Sequence, residues 1–301
     1  TTRVLPEAAE AAVHAMCEEF GNPSSLHRMG LEASHLLEDS RRTVASALGC
    51  LPEEVYFTAC GTESTNISLR GTAHLNRHKK GRIITTEIEH AATVNTAKQL
   101  AADGFDVVFL APDATGHITP EVLSEALTED TILLSCQLVN NEIGTRNDVE
   151  RLAAEVKRRN SRTIVHVDAV QAWMRVPIKL DNIDTMAVSG HKIHAPKGVG
   201  ALYLSDRLVQ AFQPPYLGGE QERGLRPGTE NLPYAMGLAA AATRLAGSIR
   251  SRDKAMRALN DRLRAGLSIF PEVEINSPAG AVPEVLNFSE NCIKSETMLA
   301  W

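Results

Sequence analysis

Short runs of aliphatic and β-branched residues, too brief for helices, alternate with helix-patterned segments up to about residue 204. The runs lie at 55–58, 82–85, 107–110, 132–135, 163–167 and 201–204. Helical patterning occupies 31–48, 63–78, 91–102, 120–128 and 148–159. Asn147-Asp148 ahead of Val149 gives a helix N-cap signal, and Thr119-Pro120-Glu121 gives another with proline at the first helical position. Continuous apolar runs suit strands buried on both faces, and helices between them supply the crossovers that parallel pairing needs. An α/β layer fold with a mostly parallel sheet sandwiched by helices is therefore expected. Ligands of such sheets bind at the carboxyl ends of the strands, where the polar clusters of this sequence fall.

At 301 residues the chain is close to the size at which one core divides. A helix-compatible stretch over 233–267 leads into Val273-Glu274-Ile275-Asn276 and Val285-Leu286-Asn287-Phe288-Ser289. The sequence stops at Met298-Leu299-Ala300-Trp301, inside a helical pattern. We expect a large domain over 12–249 and a small α+β domain, incomplete here, made of 1–11 and 250–301. A net charge of −6 supplies no basic field for nucleic acid or anionic lipid. No apolar run approaches the roughly 20 residues that span a bilayer, and Thr1-Thr2-Arg3-Val4-Leu5-Pro6 lacks the regions of a signal peptide. Cys17, Cys50, Cys60, Cys136 and Cys292 are scattered and never form C-x-x-C. That usage suits free thiols in a reducing cytoplasm and argues against a metal site or a disulfide framework. A cytoplasmic enzyme with no nucleic-acid or membrane partner is the expectation.

Two strand ends carry reactive groups. The run Ile183-Asp184-Thr185-Met186-Ala187-Val188 leads to Ser189-Gly190-His191-Lys192. A hydroxyl, backbone N–H groups and an imidazole can there meet a phosphate, beside an amine able to form a Schiff base. Ser-x-x-Lys also opens serine acyl-transfer sites, although neither Ser-Asp-Asn nor Lys-Thr-Gly accompanies it. Just upstream, Val165-His166-Val167-Asp168-Ala169-Val170-Gln171 carries a β-rich run to a carboxylate 24 positions before the lysine. A lysine to carry an aldehyde and an acid to face a pyridinium nitrogen are the two protein groups that pyridoxal 5'-phosphate (PLP) chemistry needs.

Four further clusters each have two readings. Cys60-Gly61-Thr62-Glu63-Ser64 is a phosphate-binding turn at a helix N-terminus, or an ordinary N-cap by Thr62 or Ser64. His90, in Glu87-Ile88-Glu89-His90, stacks on a cofactor ring and moves protons, or is a surface or core histidine. Asn140-Asn141-Glu142-Ile143-Gly144 aims amide donors at a carboxylate or cofactor oxygen, or is a plain turn. The glycine-rich loop over 218–230, with Arg223, Arg226 and Thr229, binds an anion or is a surface excursion.

Phe20-Gly21-Asn22-Pro23-Ser24-Ser25-Leu26-His27, Phe57-Thr58-Ala59-Cys60-Gly61-Thr62-Glu63-Ser64, Glu89-His90, Asn140-Asn141-Glu142-Ile143-Gly144, Asp168-Ala169-Val170-Gln171, Ser189-Gly190-His191-Lys192 and Arg226-Pro227-Gly228-Thr229 follow one another in that order. By that ordered set the chain, from Thr1 to Trp301, resembles the cysteine desulfurases (NifS/IscS-like) of the class V aminotransferase group, PLP-dependent enzymes of fold type I. The resemblance implies a catalytic set of Lys192, His90 and Asp168. Lys192 would hold PLP and shuttle the Cα proton, Asp168 would pair with the pyridinium nitrogen, and His90 would stack on the ring and act in acid–base steps. Gln171 would hydrogen-bond the phenolic oxygen, and Asn141 would contact cofactor and substrate carboxylate. Gly61, Thr62, Ser189 and His191, with Gly190 in the same turn, would hold the phosphate. Thr229 would reach the phosphate of a neighbouring subunit, which implies a homodimer with shared sites. The implied reaction converts L-cysteine to L-alanine and leaves the sulfur on an enzyme cysteine as a persulfide. A sulfur-acceptor or scaffold protein would then carry it toward iron–sulfur clusters or thio-cofactors.

The family's nucleophilic cysteine lies in a Ser/Gly-rich loop well downstream of the lysine, whereas this sequence stops 109 positions after Lys192. That cysteine and the arginine for the substrate carboxylate are expected beyond Trp301, and further residues ahead of Thr1. Cys60 and Cys292 are read as structural. A selenocysteine lyase, another class V aminotransferase-type enzyme and a non-catalytic sulfur-transfer scaffold are the competing readings.

Overall fold

The computed structural model describes residues 1–290 and 292–299; Asn291, Ala300 and Trp301, and with them the end of the expected terminal helix, lie outside the described residues. The chain runs α1 (Pro6–Cys17), α2 (Arg28–Leu48), β1 (Val55–Thr58), α3 (Gly61–Leu75), β2 (Arg82–Thr86), α4 (Ala91–Ala102), β3 (Asp106–Leu110), α5 (Pro120–Ala126), β4 (Thr131–Gln137) and α6 (Val149–Arg159). It continues with β5 (Ile164–Asp168), β6 (Thr185–Ser189), β7 (Gly200–Leu204), α7 (Asp206–Val209), α8 (Leu232–Ala246), α9 (Ile249–Leu267), β8 (Val273–Ile275), β9 (Phe288–Glu290) and α10 (Ser295–Leu299). The two foreseen caps form: Thr119 accepts from the N–H of Val122, and Asp148 from that of Arg151.

Seven strands make one sheet in the order β1-β7-β6-β5-β4-β2-β3, while β8 and β9 pair separately. β2 to β6 run parallel, and β7 alone is antiparallel to both its neighbours, β6 and β1. Residues 190–199 are the whole link between β6 and β7, too short for a helical crossover, so the chain must return antiparallel. β1 therefore points the same way as β2 to β6, and all six end at one edge of the sheet. β3 and β4 flank β2 on opposite sides, so the strand order reverses there and a crevice opens between the carboxyl ends of β2 and β4.

Every residue of β5 is buried. Val165 and Val167 face the core built with α2, α6 and α8, whereas Ile164 faces the core under α3 and α4. Strand alternation puts His166 and Asp168 on that second face, beneath α3. The stretch expected as one helix over 233–267 is two, because Gly247-Ser248 interrupts it: α8 buries Leu238, Ala241 and Ala242, while α9 buries only Asn260. α1, which the sequence patterns did not single out, packs on α8 through Ala8, Ala12 and Ala15. No helix among the described residues is long and apolar enough to cross a membrane.

Candidate active site

A cavity of about 410 Å³ opens at the carboxyl edge, within the size range of small-molecule sites. Loops after five strands line it: Gly61 and Thr62 after β1, His90 after β2, Asn141 after β4, Asp168 and Gln171 from β5, and Ser189, His191 and Lys192 from β6. Lys192 ends a single 3-10 turn, Gly190–Lys192, in the link that forces β7 to reverse. Of the residues to which the resemblance gives a site role, Gly190 and Thr229 are not on the cavity wall. Gly190 sits behind it, where an added Cβ would come within 2.9 Å of Val199. Thr229 is exposed near the end of the 218–230 loop.

The α3 N-terminus is open to an anion. Its N-cap is Cys60, which offers no side-chain acceptor, so neither Thr62 nor Ser64 caps it; Ser64 Oγ lies 2.8 Å from Thr58 Oγ1 instead. First-turn N–H groups without intrahelical acceptors are a ready anion site. A Cβ on Gly61 would lie 2.5 Å from Val170 Cγ2, so only glycine lets α3 approach the turn after Asp168 this closely. Ser189 is buried next to it, and its Oγ has no protein partner. Glu63 fastens the neighbourhood: it accepts the Ala59 N–H, and its Oε1 accepts from Arg226 Nε and from Tyr216 OH, each at 3.2 Å. The 218–230 loop is thereby tied to the N-terminal turn of α3.

Asp168 is 8% exposed, and its Oδ1 accepts the Val170 N–H at 2.9 Å. Burial raises its pKa above the ordinary aspartate value, opposed by that N–H and by His90 and Lys192. A cation facing Asp168 would restore its charge. His90 is the N-cap of α4, its Nδ1 accepting the Ala92 N–H at 3.1 Å. The proton of the neutral ring is therefore on Nε2. Asn140 braces the turn that carries Asn141: its Oδ1 accepts the N–H groups of Glu142 and Ile143, and its Nδ2 donates to Ile88 O at 3.0 Å. His191 lies partly buried, its pKa lowered by burial and by the charge of Lys192.

Three residues with no role assigned from the sequence support this wall. Gln137 ends β4 on the cavity, pairs with Asp168 across the β4–β5 ladder, and donates from Nε2 to Ile88 O. Glu89 is buried, its Oε1 accepting from Gln137 N at 2.8 Å and Thr86 Oγ1 at 3.0 Å, while Oε2 has no partner. Arg175 donates to Gln171 and to the carbonyl of Lys192. Only its spacing, four residues after Gln171, gave a sequence signal. His166, two residues before Asp168, is buried with its pKa pushed down to about 3, so it stands there as a neutral imidazole 2.8 Å from Thr185 Oγ1.

Of the cysteines, Cys60 alone is on the cavity wall among the described residues. Cys136 is buried and its thiol pKa is driven far up; Cys50 is pushed up to about 12. Cys292 is exposed, its thiol raised by Glu290. No cluster of three or more His, Cys, Asp or Glu side chains among the described residues could hold a metal ion.

The donor set fits PLP: an amine and a buried carboxylate share one cavity, which an uncapped helix N-terminus and an unpartnered buried hydroxyl also line. Residues 1–300 match the family model described as aminotransferase class-V. A cysteine desulfurase of Trichormus azollae is 40% identical over 99% of this chain and 74% of its own length. The solved structure of a NifS-like protein superposes with a TM-score of 0.96 at 38% identity, covering 99% of this chain and 82% of that one. SspA in complex with cysteine gives a TM-score of 0.88 at 31% identity, covering 97% and 82%. The chain belongs to the class V aminotransferase family, alongside its PLP-dependent cysteine desulfurases.

Proposed function

We propose that this chain acts on L-cysteine with PLP bound at Lys192, yielding L-alanine and moving the sulfur to a thiol. The observation that carries this reading is the placement of Lys192 and Asp168 on one cavity that the open N-terminus of α3 also lines. When bound, PLP supplies an aldehyde for an amine and an electron-withdrawing ring. The chain's own residues do the rest. Asp168 keeps a proton on the ring nitrogen through a charge-assisted hydrogen bond. His90, with its ring fixed by Ala92, would stack on the ring and present Nε2–H. The α3 N–H groups, Thr62, Ser189 and His191 hold the phosphate. Asn141, on its braced turn, donates to the substrate carboxylate. Lys192 would hold the cofactor through Nζ, and the same amine, when free, would carry the substrate's Cα proton.

The sulfur step balances as cysteine plus a thiol giving alanine plus a persulfide: one C–S bond breaks, one S–S bond forms, carbon is reduced and sulfur oxidised. Delivery onward to a sulfur-acceptor or scaffold protein, for iron–sulfur clusters or thio-cofactors in the cytoplasm, belongs to the same proposal. So does a homodimer. Exposed Thr229 and the exposed apolar side chains of Phe20, Leu26 and Leu217 suit a second copy, and Ser24 Oγ donates to Glu230 at 3.5 Å beside them. We divide the chain into a large domain over 12–249 and a smaller one from 250, with 6–11 going with the large one because α1 packs on α8. The test is exchange of the cysteine Cα proton in deuterated water by PLP-loaded protein, read by mass spectrometry alongside alanine. Exchange dependent on Lys192 supports the proposal, and its absence overturns it.

A further inference from the structure

A glutamine facing a cofactor oxygen is useful only if its amide presents nitrogen rather than oxygen, and a Gln side chain alone chooses neither. In this chain the choice is made by Arg175. Its Nη1 lies 2.5 Å from Gln171 Oε1 and 3.2 Å from Gln171 O, and its Nη2 donates to Lys192 O at 3.1 Å. A guanidinium has only donors, so the amide atom against it must be the oxygen. Rotating the amide would set N–H against N–H. Gln171 Nε2 is thereby turned away from Arg175, and it makes no hydrogen bond to protein among the described residues. Gln171 lines the 410 Å³ cavity and also a neighbouring one of about 550 Å³, into which Arg175 faces.

The arrangement is costly in ways that a merely structural contact does not require. Arg175 is partly buried and has no carboxylate within ion-pair distance among the described residues; burial lowers its pKa, Glu284 offsets this and Arg252 adds to it. A buried charge without a paired anion is expensive. The residue before it, Met174, is buried in the left-handed region at φ 61, its carbonyl taken by Arg252.

We infer that Arg175 is a positioning residue that locks the Gln171 amide with Nε2 toward the cofactor's phenolic oxygen and holds the Lys192 turn beside it. The inference rests on the proposed PLP reading. It goes further by naming the group that decides what Gln171 can recognise: an acceptor, and preferably an anionic one.

Four variants and three readouts test it. In PLP-loaded protein, Arg175→Met is expected to weaken PLP binding about tenfold, the scale of one hydrogen bond to a charged acceptor, and to move the pH midpoint of the bound cofactor's visible absorbance upward by about one pH unit. Arg175→Lys is expected to recover part of that shift. In Gln171→Ala, adding Arg175→Met is expected to move the midpoint no further. In cofactor-free protein labelled with ¹⁵N-glutamine, the Gln171 side-chain amide is expected to give one sharp pair of resonances, which broadens in Arg175→Met. An equal midpoint shift in the Gln171→Ala background, or an unchanged Gln171 amide in Arg175→Met, overturns the inference. Failure of wild-type protein to bind PLP would instead count against the proposed function, while the amide resonances still decide the orientation.

Discussion

Glu89 is an acid that this fold holds in its neutral form. It is 8% exposed, no cation contacts it among the described residues, one oxygen accepts two hydrogen bonds and the other none. Burial, with Asp168 nearby, raises its pKa from 4.5 to about 8. Linkage fixes the sign. Between pH 4.5 and 8 the unfolded chain has lost this proton while the folded chain keeps it, so stability falls as pH rises, by up to about 1.4 kcal/mol per pH unit. His166 works the other way: its folded-state pKa is depressed from 6.5 to about 3, so its contribution is present above pH 6.5 and is lost as pH falls below that. The two slopes oppose each other between pH 4.5 and 6.5, so the effect of Glu89 stands out from 6.5 to 8, where it amounts to about 2 kcal/mol. Glu89→Gln has no proton to lose. The assay is urea unfolding of cofactor-free wild type and Glu89→Gln at pH 6.5, 7.25 and 8, with the stability difference plotted against pH. Wild type is expected to lose about 2 kcal/mol relative to the variant across that range. Parallel curves would refute the assignment of a buried neutral carboxyl.

Asp168→Asn is expected to slow cysteine Cα-proton exchange by about 100- to 1,000-fold, the scale of losing one partner of a buried charge pair, while far-ultraviolet circular dichroism stays unchanged; wild-type exchange contradicts it. Gly61→Ala drives a Cβ to 2.5 Å from Val170 Cγ2, so PLP binding is expected to weaken at least about tenfold and to recover when Val170→Ala is added. Equilibrium dialysis reads both variants, and no recovery in the double variant places the fault elsewhere. If Thr229 completes a partner's phosphate site, dilution below the dimer dissociation constant is expected to release PLP, whereas a monomer that retains it as tightly rules out the shared site.

The sheet was legible because β1, β2 and β4 to β7 are buried throughout or nearly so, and an apolar run bounded by polar turns is what such a strand requires. Lys192 and Asp168 were legible for a related reason: a reactive side chain directly after such a run falls at the ligand-binding edge. What escaped depends on pairing between distant segments. Glu89 gains its role from Gln137, 48 positions away, once β2 and β4 lie side by side. The 218–230 loop is only partly the surface excursion that its composition also allowed. Arg41 holds Glu222 through two hydrogen bonds of 2.7 and 2.8 Å across 181 positions, and Phe57 N–H donates to the same carboxylate. Glu222 and Arg223 take left-handed backbone angles, φ 46 and 54, to reach that anchorage, a strain that no local pattern announces. The break between α8 and α9 was hidden because Gly247-Ser248 interrupts an otherwise continuous helical pattern with residues a helix tolerates.

The central claim is that Lys192 is the amine that binds the cofactor, and chemical trapping tests it most directly. Protein loaded with PLP is reduced with borohydride, digested, and mapped by mass spectrometry. The account predicts a pyridoxyl group on the peptide containing Ser189-Gly190-His191-Lys192, at Lys192, and its loss in Lys192→Ala. Labelling at Lys197 or Lys179 in its place, or undiminished labelling of Lys192→Ala, would contradict it.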